Sequence, residues 1–241
     1  MKINQLRYSR QTNLPFMNVR KQRLLAQKIV ALVGVGGLGS PAAELLARIG
    51  IGKLLIVDSD IIQIHNLPRQ FLFTEKDVGK KKAETAKKKL LEINSQLKIE
   101  FFPKKLTEKN IYLLKRADLI LDCTDNLATR FLINDFCKKE KIPWVFAAAL
   151  RTKGLVLPLF PKGPCLRCFL KEAELEKCLV AGVLNTITVS IAALQVTLAL
   201  KILLKEKVKS ELYQYELWQP QLKILQINKH KNCPLCGKKK N

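Results

Sequence analysis

The chain has 241 residues, of which 48% are hydrophobic, enough to bury one sizeable core, so we expect a single domain over residues 1–241. Its net charge of +23, from 43 Lys and Arg against 20 Asp and Glu, attracts nucleoside triphosphates, acidic proteins or nucleic acid, unless it only covers solvated helix faces. Neither stacked aromatic residues nor a known nucleic-acid-binding module accompanies the charge, so we expect no nucleic-acid partner. The N-terminus lacks an apolar segment of the signal-peptide type, which predicts a cytoplasmic protein.

A glycine-rich turn follows the first predicted strand, residues 29–33. The turn contains four closely spaced glycines: Gly34, Gly36, Gly37 and Gly39. Glycine is needed where the backbone takes a positive φ or approaches a ligand closely, and the N–H groups of the following helix, predicted over residues 42–49, can bind phosphate. Asp58 follows the next apolar run, residues 54–57, where a dinucleotide-binding fold has its ribose-binding carboxylate. The turn therefore predicts a nucleotide site, and its spacing fits NAD as well as ATP.

Strand and helix patterns then alternate as far as about residue 150. Further buried strands are predicted at residues 99–102, 119–121 and 144–149, and helices at residues 19–26, 79–93, 111–117 and 128–139. This alternation predicts an α/β fold with a Rossmann-like, mostly parallel sheet and helices on both faces. Residues 59–71 have no helical period and are interpreted as an ordered loop at the carboxyl end of the sheet, where α/β folds bind their ligands. We expect this nucleotide-binding core to span about residues 28–150.

An antiparallel extension is predicted from about residue 151 to residue 237. Residues 155–160 depart from the alternating pattern, and residues 212–218 and 222–227 flank a predicted hairpin turn. Residues 179–200 carry no charge and are long enough to cross a bilayer, but they include Asn, Ser, Thr and Gln side chains that would be costly in lipid. We interpret the later part of this stretch as a buried helix and expect no membrane partner.

Four of the seven cysteines form two Cys-x-x-Cys pairs: Cys165, Cys168, Cys233 and Cys236. Two such pairs supply the ligands of a closed structural zinc site, and in a chain without an export signal this spacing favours a metal over disulfides. The alternative is a pair of redox-active or unpaired turns. A zinc ion would hold the C-terminal tail against the domain, with His230 as a bystander. Cys123 and Cys137 fall in strand and helix interiors, so we expect them in the core.

Acidic and basic side chains gather on the side of the sheet where the glycine turn opens. Four carboxylates end or follow strands there, and two cations lie in the loop and helix start that come next: Asp58, Asp60, Asp122, Asp125, Arg69 and Lys82. Hydride transfer needs no such array, whereas phosphoryl or adenylyl transfer needs Mg²⁺ and fixed cations to stabilise the charge that develops. The joint arrangement therefore favours ATP over NAD.

Five sequence motifs occur together between about Leu6 and Gly237. They are Arg7-Tyr8-Ser9-Arg10-Gln11, Gly34-Val-Gly-Gly-Leu-Gly39, Asn66-Leu-Pro-Arg-Gln70, Asp122-Cys-Thr-Asp-Asn126 and the two Cys-x-x-Cys pairs. In this combination the chain resembles the ThiF/MoeB/HesA family, whose members are related to ubiquitin-activating enzymes.

The resemblance implies an adenylyltransferase that uses MgATP and acts on a small ubiquitin-like sulfur-carrier protein, similar to ThiS or MoaD. Its C-terminal Gly-Gly carboxylate would become an acyl-adenylate for sulfur transfer in thiamine or molybdenum-cofactor biosynthesis. An NAD-binding Rossmann oxidoreductase and a non-catalytic adaptor for a ubiquitin-like protein are the alternative functions.

The resemblance also implies roles for individual residues. The cofactor-binding set consists of the four glycines of the turn, Asp58, Asp60, Asn66, Arg69, Gln70, Lys82 and Asp125, and the catalytic set of Arg10, Arg69, Lys82, Asp125 and Cys178. The implied tasks are phosphate binding by the turn, Arg69 and Lys82, ribose binding by Asp58, and Mg²⁺ binding by Asp125 with Asp60 nearby.

Two of the implied roles concern parts of the chain outside the nucleotide-binding core. Arg10 in this family reaches the phosphates of the neighbouring subunit, which implies a homodimer. Cys178 aligns with a cysteine that some relatives use for a covalent sulfur or acyl link and others do without. Because no rhodanese-like extension follows Cys236, we expect a separate sulfur donor protein.

Overall fold

A sheet of eight strands forms the centre of the computed structural model, which describes residues 5–170 and 182–237. In chain order the strands are β1 (Ile29–Val33), β2 (Lys53–Val57), β3 (Lys98–Phe102), β4 (Leu119–Asp122), β5 (Trp144–Leu150), β6 (Lys153–Leu159), β7 (Glu211–Glu216) and β8 (Gln221–Gln226). Across the sheet their order is β3-β2-β1-β4-β5-β6-β7-β8. Every strand predicted from the sequence is present, and its ends agree to within two residues.

The first five strands run parallel, and their order reverses between β1 and β4. Val33 at the end of β1 lies beside Val57 of β2 and Asp122 of β4, so the carboxyl ends of these strands meet at one edge. An open α/β sheet binds its ligands outside the carboxyl ends of its strands, at such a reversal of strand order. The predicted Rossmann-like, mostly parallel core is confirmed.

Helices cover both faces of the parallel strands. In chain order they are α1 (Gln5–Thr12), α2 (Val19–Leu25), α3 (Gly39–Ile49), α4 (Lys82–Ile93), α5 (Leu127–Glu140) and α6 (Asn185–Leu203). Helices α3, α4 and α6 pack against alternate strand residues such as Leu32 and Ile56. Helix α5 packs against the residues in between, such as Ala31 and Val57. The inner strands β1, β2, β4 and β5 are almost entirely apolar because both of their faces are covered, whereas the edge strand β3 contains Lys98 and Glu100.

The helix predicted at residues 111–117 is wrong. This segment contains a single 3₁₀ turn, Ile111–Leu114, and the chain then enters β4. The carboxylate of Asp118 accepts hydrogen bonds from the backbone N–H of Ile29 at 2.8 Å and from Nζ of Lys28 at 3.0 Å. These contacts fix the chain in front of β4, so no further helical turn fits between the 3₁₀ turn and the strand.

Strands β6, β7 and β8 run antiparallel and continue the sheet beyond β5. Helix α6 covers β5 and β6, and Gly154 makes room for it, since a Cβ atom there would lie 2.1 Å from Cγ1 of Ile191. By length and composition α6 could cross a membrane, yet half of its apolar window is buried inside the fold, as in the core helix of a globular domain. The predicted antiparallel extension is confirmed, and the domain boundaries stay a prediction.

Candidate functional site

The glycine turn between β1 and α3 contains two kinds of glycine. Gly34 has a φ of +87°, and a Cβ atom there would lie 2.8 Å from the carbonyl oxygen of Cys123, directly after β4. Gly39 is equally confined, because its Cβ atom would lie 1.9 Å from the carbonyl oxygen of Gly34. Among the described residues, Gly36 and Gly37 have only side-chain atoms near their Cβ positions, at 3.4 Å or more. Packing therefore requires the outer pair, and the inner pair keeps the open side of the turn accessible.

Side chains from two other segments converge on this open side. The stem of Arg69 lies 3.5 Å from the Cβ position of Gly37, and Nε2 of Gln70 lies 3.7 Å from that of Gly36. Cγ2 of Thr188, in the first turn of α6, lies 3.4 Å from the same Cβ position of Gly37. Backbone N–H groups in such a turn, with a cation beside them, are suited to binding phosphate. The structure thus brings the glycines, Arg69 and Gln70 together, and their role in nucleotide binding stays a prediction.

Asp58 joins the glycine turn to the loop that follows β2. Its Oδ2 accepts a hydrogen bond from the N–H of Val35 at 2.6 Å, and its Oδ1 accepts one from the N–H of Asp60 at 2.8 Å. Burial raises the pKa of Asp58, while these two hydrogen bonds and the nearby ammonium of Lys82 oppose the increase. The carboxylate therefore fixes two sides of the site, and its role in ribose binding stays a prediction.

Asn66 and Gln70 lie in the loop between β2 and α4, which contains a short 3₁₀ turn ending at Asn66. Oδ1 of Asn66 accepts from the N–H of Gln63 at 3.2 Å, and its carbonyl accepts from the N–H groups of Arg69 and Gln70 at 3.1 Å. Gln70 is 3% exposed, and its Oε1 has no hydrogen-bond partner among the described residues. A buried carbonyl oxygen without a donor fits a hydroxyl or amino group of a bound nucleotide.

Lys82 and Asp60, predicted near the phosphates and the metal, are paired with each other. The side chain of Lys82 is 6% exposed, and its Nζ donates to Oδ2 of Asp60 at 2.8 Å. The backbone N–H of Lys82 also donates to the carbonyl of Asp60 at 2.9 Å, so the main chain holds the two residues together. The side chain of Asp60 is 63% exposed, which leaves the pair accessible to a ligand from the solvent side.

The segment after β4 presents Asp125 to the solvent and buries Asp122. Asp125 is exposed, and its carboxylate accepts no hydrogen bond within the described part of the chain. Asp122 is fully buried, and its Oδ1 accepts from the N–H and the hydroxyl of Thr124 at 3.0 and 2.7 Å. Asp122 was predicted among the carboxylates that surround the open site, but its side chain lies beneath that site.

Helix α1, which carries Arg10, lies at the far end of α3 from the glycine turn. Nε2 of Gln11 donates to the carbonyl of Ile49 at 3.1 Å, and the hydroxyl of Tyr8 accepts from Nδ2 of Asn94 at 3.2 Å. With a rise of 1.5 Å per residue, α3 separates these contacts from the turn by about 16 Å. Within one protomer Arg10 is therefore remote from the turn, and its contact with a second copy stays a prediction.

Four cysteine sulfurs meet where the C-terminal tail returns to the segment after β6. The Sγ atoms of Cys165 and Cys233 are 3.4 Å apart, those of Cys168 and Cys236 are 3.3 Å apart, and all four lie within 4.8 Å of one another. Sulfurs around a tetrahedral zinc ion lie about 3.8 Å apart, so this predicted cluster fits zinc. His230 donates its backbone N–H to Sγ of Cys168 at 3.4 Å and is not one of the four ligands.

Of the three cysteines outside the cluster, the structure describes Cys123 and Cys137. Cys123 and Cys137 are buried as predicted, and burial raises the pKa of both thiols well above the usual value. Both side chains therefore stay protonated and unreactive. Cys178, implied as a nucleophile, lies outside the described residues.

Two polar residues that hold neighbouring segments together, one near the glycine turn and one near the four cysteines, were not predicted from the sequence. Nε2 of Gln195, a fully buried residue of α6, donates to the carbonyls of Asp122 and Val145 at 2.9 Å and so joins α6 to β4 and β5. Nζ of Lys138 donates to three backbone carbonyls of residues 160–163, just before the first Cys-x-x-Cys pair. A glutamine in an otherwise apolar stretch indicates a buried hydrogen-bonding role, so Gln195 could have been found from the sequence. A lysine on an amphipathic helix is usually exposed, so nothing in the sequence indicates the role of Lys138.

Known proteins share both the sequence and the fold. A profile of the ThiF family matches residues 8–235. The SAMP-activating enzyme E1 of Haloferax volcanii is 33% identical over 96% of this chain and 88% of its own length. The sulfur carrier protein ThiS adenylyltransferase of Bacillus subtilis is 35% identical over 97% of this chain and 72% of its own length. The structure of E. coli MccB with AMPCPP and MccA superposes with a TM-score of 0.83 at 25% identity, over 97% of this chain and 75% of that one. The chain therefore belongs to the ThiF family, as its sequence motifs predicted.

Proposed function

We propose that this chain uses MgATP to adenylylate the C-terminal carboxylate of a ubiquitin-like sulfur-carrier protein. The enzyme class, an adenylyltransferase, is supported by the family and by relatives of that name along nearly the whole chain. The observation that carries the proposal at the site is the open glycine turn, where the stem of Arg69 lies 3.5 Å from the Cβ position of Gly37 and Oε1 of Gln70 has no hydrogen-bond partner among the described residues.

In the proposed reaction, a carboxylate oxygen of the carrier forms a bond to the α-phosphorus of ATP. The bond from that phosphorus to the oxygen bridging to the β-phosphate breaks, and pyrophosphate leaves with the electron pair. The carrier becomes an acyl-adenylate that a sulfur nucleophile can attack. Both reactants are anions, so the site has to offset their repulsion with fixed positive charge. The net charge of +23 and the two cations Arg69 and Lys82 suit this task.

Lys82 and Asp60 would exchange partners when the nucleotide binds. The ammonium of Lys82 would turn from Asp60 to a phosphate oxygen, which frees the Asp60 carboxylate. Asp60 and Asp125, which has no partner within the described part of the chain, offer the oxygen ligands that Mg²⁺ prefers, and we assign its binding to them. When bound, Mg²⁺ offsets the negative charge of the phosphates.

The assembly and the pathway belong to the same proposal. Because α1 lies far from the glycine turn within one protomer, we assign the active unit to a homodimer in which Arg10 serves the partner's site. The four cysteines would bind a structural zinc ion that holds the tail. The similarity to a ThiS adenylyltransferase supports a carrier of the ThiS or MoaD class, and hence a place in thiamine or molybdenum-cofactor biosynthesis.

The test is ATP–pyrophosphate exchange with the purified chain and two candidate carriers, one of the thiamine type and one of the molybdopterin type, each ending in Gly-Gly. We expect exchange with one of them, and none when the carrier is omitted or lacks its last glycine. Carrier binding without exchange would indicate an adaptor. Tight binding of NADH together with indifference to MgATP would indicate an oxidoreductase.

A further inference from the structure

The short segment that carries Asp125 is held from three sides. The glycine turn packs against the carbonyl of Cys123. From α6, Nε2 of Gln195 donates to the carbonyl of Asp122 at 2.9 Å, and Oε1 of Gln195 accepts from Sγ of Cys123 at 3.3 Å. The third support is Arg130, which reaches the segment from α5.

Arg130 lies beneath the segment with its side chain only 7% exposed. Its Nη2 donates to the carbonyl of Thr124 and, at 3.3 Å, to the carbonyl of Ala147 in β5. Its guanidinium lies 5.0 Å from the centre of the Phe146 ring, also in β5. Arg130 therefore ties the backbone of Thr124 to the neighbouring strand.

Asp122 holds Thr124 as well, through the backbone N–H and the hydroxyl of Thr124. Oδ1 of Asp122 accepts from the N–H and the hydroxyl of Thr124, and Oδ2 lies 3.6 Å from Nε of Arg130. Neither Oδ2 nor that Nε has a hydrogen-bond partner in the described part of the chain. Two buried charges that face each other in this way hold Thr124 through both its N–H and its carbonyl.

Asp125 stands between two fixed neighbours. Thr124 on one side is held by Asp122 and Arg130, and on the other side Asn126 caps α5, with its Oδ1 accepting from the N–H of Thr129 at 2.9 Å. The carboxylate of Asp125 therefore projects from a rigid backbone although no side chain in the described residues binds it. A metal ligand gains affinity from such preorganised support.

We propose that Arg130 and Asp122 are positioning residues that act through Thr124 to aim the carboxylate of Asp125 at Mg²⁺. This inference rests on the proposed function, in which Asp125 binds the metal ion of MgATP. The pair lies beneath the loop, so it contacts neither the nucleotide nor the metal. Loss of such outer-shell partners typically costs about 10–100-fold in metal affinity.

The test is a calorimetric titration of Mg²⁺ into the full chain, saturated with a non-hydrolysable ATP analogue. For Arg130→Met we expect Mg²⁺ affinity to fall by about tenfold or more. The affinity for the same nucleotide in EDTA should be unchanged. Arg130→Lys keeps the charge but not the forked donor, so it should restore only part of the loss.

A double variant separates positioning from stability. Arg130→Met alone leaves Asp122 as a buried, unpaired carboxylate and is expected to lower Tm. Asp122→Asn with Arg130→Met removes both charges, and we expect it to regain Tm while Mg²⁺ binding stays weak. If the double variant regains Mg²⁺ affinity as well, the pair is only structural and the inference is wrong.

The matched control is Asp118→Asn, the same substitution at the other end of β4. Asp118 pairs with Lys28 and lies at the edge of the sheet opposite the nucleotide, so we expect Mg²⁺ affinity to be unchanged. A wild-type protein that binds no nucleotide with Mg²⁺ would overturn the proposed function. A wild-type protein that binds it, with variants that bind Mg²⁺ equally well, would overturn only this inference.

Discussion

The parallel and antiparallel parts of the sheet are stabilised in different ways. In β1 and β2, residues such as Leu32 and Leu55 are fully buried, because helices cover both faces. In β8 every residue is exposed, and Leu222 and Ile224 are each about half exposed, at 54% and 52%. The β8 end of the sheet thus has less buried apolar surface than β1 and β2, and the four-cysteine cluster lies where the tail that follows β8 returns to the segment after β6. We infer that the nucleotide-binding end is stable by itself, whereas the C-terminal tail depends on metal.

Metal removal should break this balance most strongly. Apparent zinc binding is worth about 10 kcal/mol or more in small metal-folded peptides. We therefore expect Cys233→Ala to abolish zinc binding and to make residues 228–237 sensitive to trypsin, while a fluorescent ATP analogue still binds. Zinc content, limited proteolysis and nucleotide fluorescence measure the three outcomes.

Cys137→Ala is the matched control for the metal experiment, because Cys137 is buried in α5 and is not part of the four-cysteine cluster. It should retain zinc and a protected tail. Loss of nucleotide binding in Cys233→Ala would show that the two ends of the sheet are not independent.

At the parallel end, the largest effect should be on chemistry rather than on stability. Loss of one preorganised cation typically raises the barrier by about 3 kcal/mol, a rate loss of more than about 100-fold. We expect Arg69→Ala to lose this much ATP–pyrophosphate exchange with Tm unchanged. Arg116→Ala removes an exposed arginine that pairs with Glu100 at the β3 edge, and it should exchange normally. Normal exchange by Arg69→Ala would remove Arg69 from the mechanism.

The confined glycines offer a smaller, structural contrast. A methyl group at Gly39 would lie 1.9 Å from the carbonyl oxygen of Gly34, so the turn has to distort. We expect Gly39→Ala to lower the free energy of unfolding by about 1–3 kcal/mol. Gly182→Ala should be neutral, because no atom of the described residues lies within 4 Å of its Cβ position. Chemical denaturation of both variants checks the pair, and equal stabilities would contradict the packing argument.

The smallest expected effect is a pH dependence from the loop between β2 and α4. Burial raises the pKa of Asp77, but hydrogen bonds from Lys89 and Thr74 outweigh it and hold this pKa below its usual value. A depressed folded-state pKa stabilises the fold above the unfolded value and loses that stabilisation as the pH falls. We expect Asp77→Asn to be about 1–2 kcal/mol less stable at pH 7, with the difference shrinking below about pH 4. A difference that stays constant from pH 7 to pH 3 would contradict this assignment.

The positions of the strands could be predicted because each buried strand is a short apolar run between polar segments. The glycine spacing likewise predicted the turn, since few other structures need glycine at Gly34 and Gly39. The chain position of Asp122 showed that it ends a strand, but not that its side chain lies beneath the loop. That direction depends on Arg130, a contact between side chains that no local pattern reports.

Contacts between distant segments were the part that the sequence could not predict. Gln195 donates to the backbone carbonyl of a residue 73 positions away. Every residue type has a backbone carbonyl, so the sequence does not show which one is the acceptor. The pairing of Lys82 with Asp60 could not be predicted either, because Lys82 was equally suited to binding a phosphate and Asp60 to binding a metal ion. Motifs identified which groups gather at the site, whereas the hydrogen-bond partners of these groups follow only from the packing of the helices.

Asp58 joins two segments of the nucleotide site, so substituting it would disturb more than one contact. Its two oxygens hold the N–H groups of Val35 and Asp60, one on each side of the nucleotide site. An alanine there would loosen the phosphate cradle and shift the counter-ion of Lys82 at the same time. A low rate in an Asp58 variant would therefore reflect a displaced glycine turn and loop, and not only the loss of a hydrogen bond to the ribose. Measuring 2′-deoxy and 3′-deoxy nucleotides with the wild-type protein separates the ribose contact from this structural effect.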